Sequence, residues 1–154
     1  MNYLKRFWTT FKEFLHKEYP ETDITPLKEI EDTEPLGRYL MSKRHFSIEN
    51  KRVKDAAFMP APDFCLSVFR TQGLTEDEIW KLGYEEVVKK LPAPRTLYGR
   101  GQIILLAVKE VNLELDPDDT PSRHANIVGW PQEKSEQKLI ALQLASEAIL
   151  KLKT

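Results

Sequence analysis

The chain has 154 residues, 41% hydrophobic and 31% charged, with a formal net charge of −1. That length suffices for one hydrophobic core without staples, and the balance is that of a soluble globular domain rather than a disordered tail. The near-neutral charge makes whole-molecule attraction to nucleic acid weak. The single cysteine, Cys65, excludes a disulfide framework or multi-thiolate metal site and fits a cytoplasmic setting, and no apolar run approaches the roughly 18 residues of a membrane span.

Residues 2–19 place Leu4, Phe7, Trp8, Phe11, Phe14, Leu15 and Tyr19 three and four apart, with Lys5, Lys12, Glu13 and Lys17 between them. This spacing predicts an amphipathic helix with an aromatic face, used for docking on the core, with a homodimer contact or a membrane surface as the sharper uses. The interspersed charges are not those of an export signal. Pro20 ends the helix, and the acidic stretch to Gly37, with Pro26 and Pro35, reads as a connector. Residues 1–37 are therefore expected to form an arm and connector, and 38–154 one compact domain.

Charge is unevenly placed. Glu13 to Glu34 carries eight acidic residues against two basic, whereas Arg38 to Arg70 carries seven basic against three acidic. Residues 38–59 are read as short strand or irregular structure. Phe64–Arg70 is apolar at nearly every position, which predicts a strand inside a sheet, and Cys65 within it is expected to be a buried, inert thiol. Thr75 and Glu78 form a capping-box pattern that starts a helix running to about Leu91, in which Gly83 marks a close packing contact. Gln102–Val111 is read as a helix, Asn112–Leu115 and His124–Val128 as antiparallel strands around a turn at Asp116–Ser122, and Lys134–Lys153 as a long helix with an apolar face that includes Leu142, Ile149 and Leu152. Trp130 is expected to anchor the core. The predicted fold is α+β: a small mixed or antiparallel sheet with about four helices packed mainly on one face.

Phosphate-loop, dinucleotide-binding, zinc-protease and nucleophile-elbow signatures are all missing from the sequence. Gly99-Arg100-Gly101 before the expected helix at 102 would present backbone amides and Arg100 to an anion. The more informative pattern is a near-duplication, Arg44-His45-Phe46-Ser47 and Arg123-His124-Ala125-Asn126. Two imidazoles converging on a phosphodiester can act as general base and acid, with Ser47 and Asn126 fixing phosphate oxygens and Arg44 and Arg123 supplying charge. The arrangement is similar to the two-histidine phosphoesterases, with Asn126 standing where that family has a second hydroxyl. The plainer reading has His124 and Asn126 hydrogen-bonding the Asp116–Asp119 turn. That turn with His124 also invites a metal, but its spacing fits no calcium loop and a charged turn is preferred, so neither metal nor cofactor is expected.

Lys43, Arg44, Phe46, Lys51, Arg52 and Lys54 form a third constellation, cations around an aromatic, able to hold RNA or single-stranded DNA if they cluster with Arg70, Arg95, Arg100 or Arg123. The segments Arg52-Val53-Lys54, Ala57-Phe58-Met59-Pro60, Leu66–Arg70, Glu78-Ile79-Trp80 and His124–Ile127 with Gly129-Trp130-Pro131 resemble small bacterial proteins without an assigned function. That resemblance covers about two thirds of the chain; it implies a single domain and no activity. Two functions fit these patterns: an accessory protein that binds a protein or nucleic acid through the basic, aromatic segment, and a metal-independent phosphoesterase or nuclease built on His45 and His124.

Overall fold

The computed structural model describes residues 29–154. The helix expected at 2–19, with its dimer role, lies outside them. The described residues form eight strands: β1 Pro35–Leu40, β2 Phe46–Ser47, β3 Arg52–Val53, β4 Leu66–Arg70, β5 Gly99–Ile104, β6 Glu114–Asp116, β7 His124–Val128 and β8 Ile149–Leu152. Six build one antiparallel sheet in the order β6-β7-β4-β1-β5-β8, and β2 and β3 form a separate hairpin. The α-helices are α1 Glu76–Gly83, α2 Leu105–Glu110 and α3 Lys134–Glu147.

Alternation along β1 assigns the two faces. Leu36 and Leu40 enter one core with Leu66, Val68, Ile103, Ala125 and Ile127, which α2 and α3 cover, whereas Tyr39 joins Phe69, Ile79 and Val88 in a second core under α1. Apolar side chains on both faces explain why β1 and β4 are inner strands. The helices therefore number three among the described residues, not about four, and they lie on both faces of the sheet rather than mainly on one.

Three boundaries differ from the sequence expectation for identifiable reasons. Pro35–Gly37, expected in the connector, begins the inner strand β1, so the expected division at residue 37 falls inside it. Gln102–Ile104 completes β5, and only Leu105–Glu110 is helical: with Ile103 buried on a strand that pairs along its whole length with β1, ladder hydrogen bonds outweigh a helical pattern of equal quality. The last helix stops at Glu147 because Ala148 is extended, and Ile149–Leu152 pairs with the otherwise open edge of β5. Leu142, assigned to the buried face, is exposed, whereas Ala141, Leu144 and Ala145 are buried.

The strand expected from Phe64 begins at Leu66, but the capping box is as expected. Thr75 Oγ1 accepts from the Glu78 amide at 3.2 Å while Glu78 Oε2 accepts from the Thr75 amide at 2.8 Å. The α1 segment then widens into a π turn at Tyr84–Val88, short of Leu91. Trp130 is buried and donates to the Ile127 carbonyl. Gly101 permits a close approach: a Cβ there would sit 3.3 Å from Phe58 and 3.2 Å from Val53, so the missing side chain lets the hairpin and the adjoining 3-10 turn, Asp55–Phe58, lie directly on β5.

Candidate functional site

Pairing of β4 with β7 sets Phe69 opposite His124 and Ser67 opposite Asn126, so these four side chains share one face. The His124 ring meets Phe69 edge-on, with centroids 5.3 Å apart. Its Nδ1 lies 2.7 Å from Asp118 Oδ1 and its Nε2 lies 2.7 Å from Ser67 Oγ. With the proton on Nδ1, His124 donates to the carboxylate and accepts from the hydroxyl, which satisfies every atom in the row. Asn126 Nδ2 donates to Asp118 Oδ2 at 3.2 Å, and the Thr120 amide donates to Oδ1. The expected tie of His124 and Asn126 to the acidic turn is thus present. The hydroxyl on His124, however, is Ser67.

Partial burial pushes the Asp118 carboxyl up, but the hydrogen bonds and charge of His124 and the bonds from Thr120 and Asn126 outweigh it and hold it below the ordinary aspartate range. Asp116 is shifted the other way, by burial and by Asp118. Because the Asp118 carboxyl is more acidic folded than unfolded, its contribution is complete above the unfolded value of about 3.9 and is lost as pH falls through the lower folded value. The expected result is a melting temperature that drops more steeply below about pH 4 in the wild type than in Asp118→Asn. Parallel curves would contradict it.

Beside this row the sheet opens. β1 pairs with β4 only through Leu36 and Gly37, and Arg38 enters the gap, donating from Nη1 to the Ser67 carbonyl and from Nε to the Ala57 carbonyl, each at 3.0 Å. A cleft of about 250 Å³ lies there, bounded by Arg38, Met59, Pro60, Asp63, Ser67 and Asn126. Cys65 also borders it and is half-exposed rather than buried; partial burial and the charges of Asp63, Asp116 and Asp118 push its thiol up, away from thiolate chemistry.

The remaining predicted residues lie elsewhere. His45 sits in the 3-10 turn Lys43–His45 beside β2, with its Nδ1 buried and unpartnered, and no hydrogen bond or ring contact joins it to His124. Burial, Arg38 and Arg95 all disfavour its protonation. Ser47 Oγ accepts from the Asn50 amide in the hairpin turn. Arg123 has a positive φ of 73° and donates to the Arg70 and Gln72 carbonyls. Arg100 is not at a helix N-terminus. It projects from mid-strand with 1% exposure, forked onto Glu76 at 2.7 and 2.9 Å and stacked over Trp80 at 4.8 Å, which makes it a structural cation. Among the described residues, no group of three or more His, Cys, Asp and Glu side chains is arranged to hold a metal ion, and no helix is long and apolar enough to cross a membrane.

The basic constellation keeps its cations and loses its aromatic. Lys43, Arg44, Lys51, Arg52 and Lys54 are all exposed on β2, β3 and their flanks, and none of them is held in an ion pair among the described residues. Phe46 is buried against Tyr98, over which Lys43 lies at 6.0 Å. Exposed Arg95, on the loop leading to Tyr98, adds its charge to those disfavouring protonation of His45, whereas Arg70 pairs with Glu34. Comparison with family models, with curated proteins and with solved structures gives no match.

Proposed function

We propose that this chain binds nucleic acid through its phosphates, using the β2–β3 hairpin as the contact surface. One observation carries the reading: five exposed cations, Lys43, Arg44, Lys51, Arg52 and Lys54, lie on one short hairpin and its flanks without ion-pair partners among the described residues. Unpaired cations on a firm support neutralise phosphates and release counterions at little ordering cost. The hairpin has that support, because Val53 and Phe58 pack on Gly101.

Burial of Phe46 removes the stacking platform expected from the sequence, so the reading becomes one of backbone contact with little preference among bases. Titration of labelled single-stranded RNA and DNA at about 50 and 200 mM salt is the test, with binding expected to weaken at least tenfold across that range for mixed and homopolymeric strands alike. Binding insensitive to salt, or none at the lower concentration, would refute it.

A further inference from the structure

The row Ser67–His124–Asp118 plays no part in phosphate binding by the hairpin. We propose that it is a hydrolytic centre for small, neutral carboxylic esters, with Ser67 Oγ as nucleophile, His124 as base and acid, and Asp118 as the positioning carboxylate.

Three observations converge. Hydroxyl to imidazole and imidazole to carboxylate are both 2.7 Å, and the single tautomer that satisfies them leaves Nε2 ready to take the serine proton. Asp118 is itself held, by Asn126 through Oδ2 and by the Thr120 amide through Oδ1, so the imidazole is oriented by a fixed group rather than a free side chain. Finally, Ser67 borders the cleft of about 250 Å³, whose wall includes Met59, Pro60 and Leu66 and where the Arg38 guanidinium reaches the Ser67 carbonyl.

The cleft also sets the substrate class. Its size and the Met59, Pro60 and Leu66 side of its wall take a short acyl group. Asp63 on the rim and Asp116 beside Asp118 repel a phosphodiester, which favours an uncharged ester. Cys65, with its thiol pushed up by partial burial and by the same carboxylates, does not compete as nucleophile.

In the reaction, Ser67 Oγ adds to the ester carbonyl carbon while its proton passes to His124 Nε2. The tetrahedral oxyanion collapses, the C–O bond to the alcohol breaks, and the leaving oxygen takes that proton. Water then adds to the acyl-Ser67 carbonyl, giving its proton to Nε2. Collapse releases the carboxylic acid and returns the proton to Ser67, so ester and water become acid and alcohol with no other reactant.

The test uses the full chain. Incubation with a fluorophosphonate should add one phosphonyl group, located on Ser67 by peptide mass analysis. Hydrolysis of p-nitrophenyl acetate and butyrate should fall at least about 10³-fold in Ser67→Ala. An adduct on the wild type is independent of how the variant folds. Absence of an adduct on Ser67, ester hydrolysis that persists in Ser67→Ala, or turnover of bis-p-nitrophenyl phosphate in place of the esters would each overturn the proposal.

Discussion

Truncation of Phe58 to alanine is expected to cost about 3–5 kcal/mol, the range for removing a fully buried aromatic. Phe58 has no exposed surface and lies in the 3-10 turn Asp55–Phe58 between α3 and the glycine-bearing face of β5. The space it fills cannot collapse easily, because Gly101 offers no side chain to move into it and the β5 backbone is fixed by β1 and β8 on either side. The loss also reaches function, since this turn continues directly from β3 and anchors the basic hairpin. Denaturant unfolding should show a lowered midpoint with an unchanged slope, and nucleic-acid affinity should fall with it. A cost below about 1 kcal/mol would mean that Phe58 is not the support described.

The second large effect reverses what local propensity predicts. Gly83 closes α1, where alanine should stabilise a helix by about 1 kcal/mol. A Cβ at that position would lie 2.7 Å from Tyr39 Cδ1 and 2.8 Å from Cζ, with Cε1 closer still. The ring cannot swing aside freely: its hydroxyl donates to the Ile79 carbonyl and its other side meets Phe69, with centroids 5.6 Å apart. Burial also pushes the Tyr39 phenol far above its ordinary value, as expected for a side chain enclosed in the second core. Gly83→Ala is therefore expected to destabilise by about 1–3 kcal/mol through overpacking. A stabilised variant, measured by the same unfolding curves, would place the helix farther from β1 than described.

How much of this is legible in the sequence depends on the range of the signal. The capping box at Thr75 and Glu78, the close approach at Gly83, the inner position of Leu66–Arg70 and the pairing of β6 with β7 are carried by neighbours or by simple alternation, and each is present. Gln102–Ile104 and Ile149–Leu152 read as helix because their apolar spacing suits a helix as well as a strand, and the choice is made by a partner edge far along the chain. The same limit applies to the site. His124, Asn126 and the acidic turn are close in sequence, and their grouping is visible there. Ser67, 57 residues from His124, becomes its partner only through the register of β4 against β7, while the near-duplicate motif points to Ser47 instead. Arg100 looks available beside two glycines, yet those glycines serve strand packing and its charge is matched by Glu76.

The nucleic-acid reading rests on whether the hairpin cations meet phosphates, and the salt dependence of binding measures that directly. A variant with Arg44, Lys51, Arg52 and Lys54 all replaced by alanine leaves the buried Phe46, Val53 and Phe58 in place, so its fold should persist. For single-stranded RNA, the slope of log affinity against log salt should become shallower by about 3, close to four lost contacts at roughly 0.7 each. A slope the same as that of the wild type would contradict the assignment of this surface.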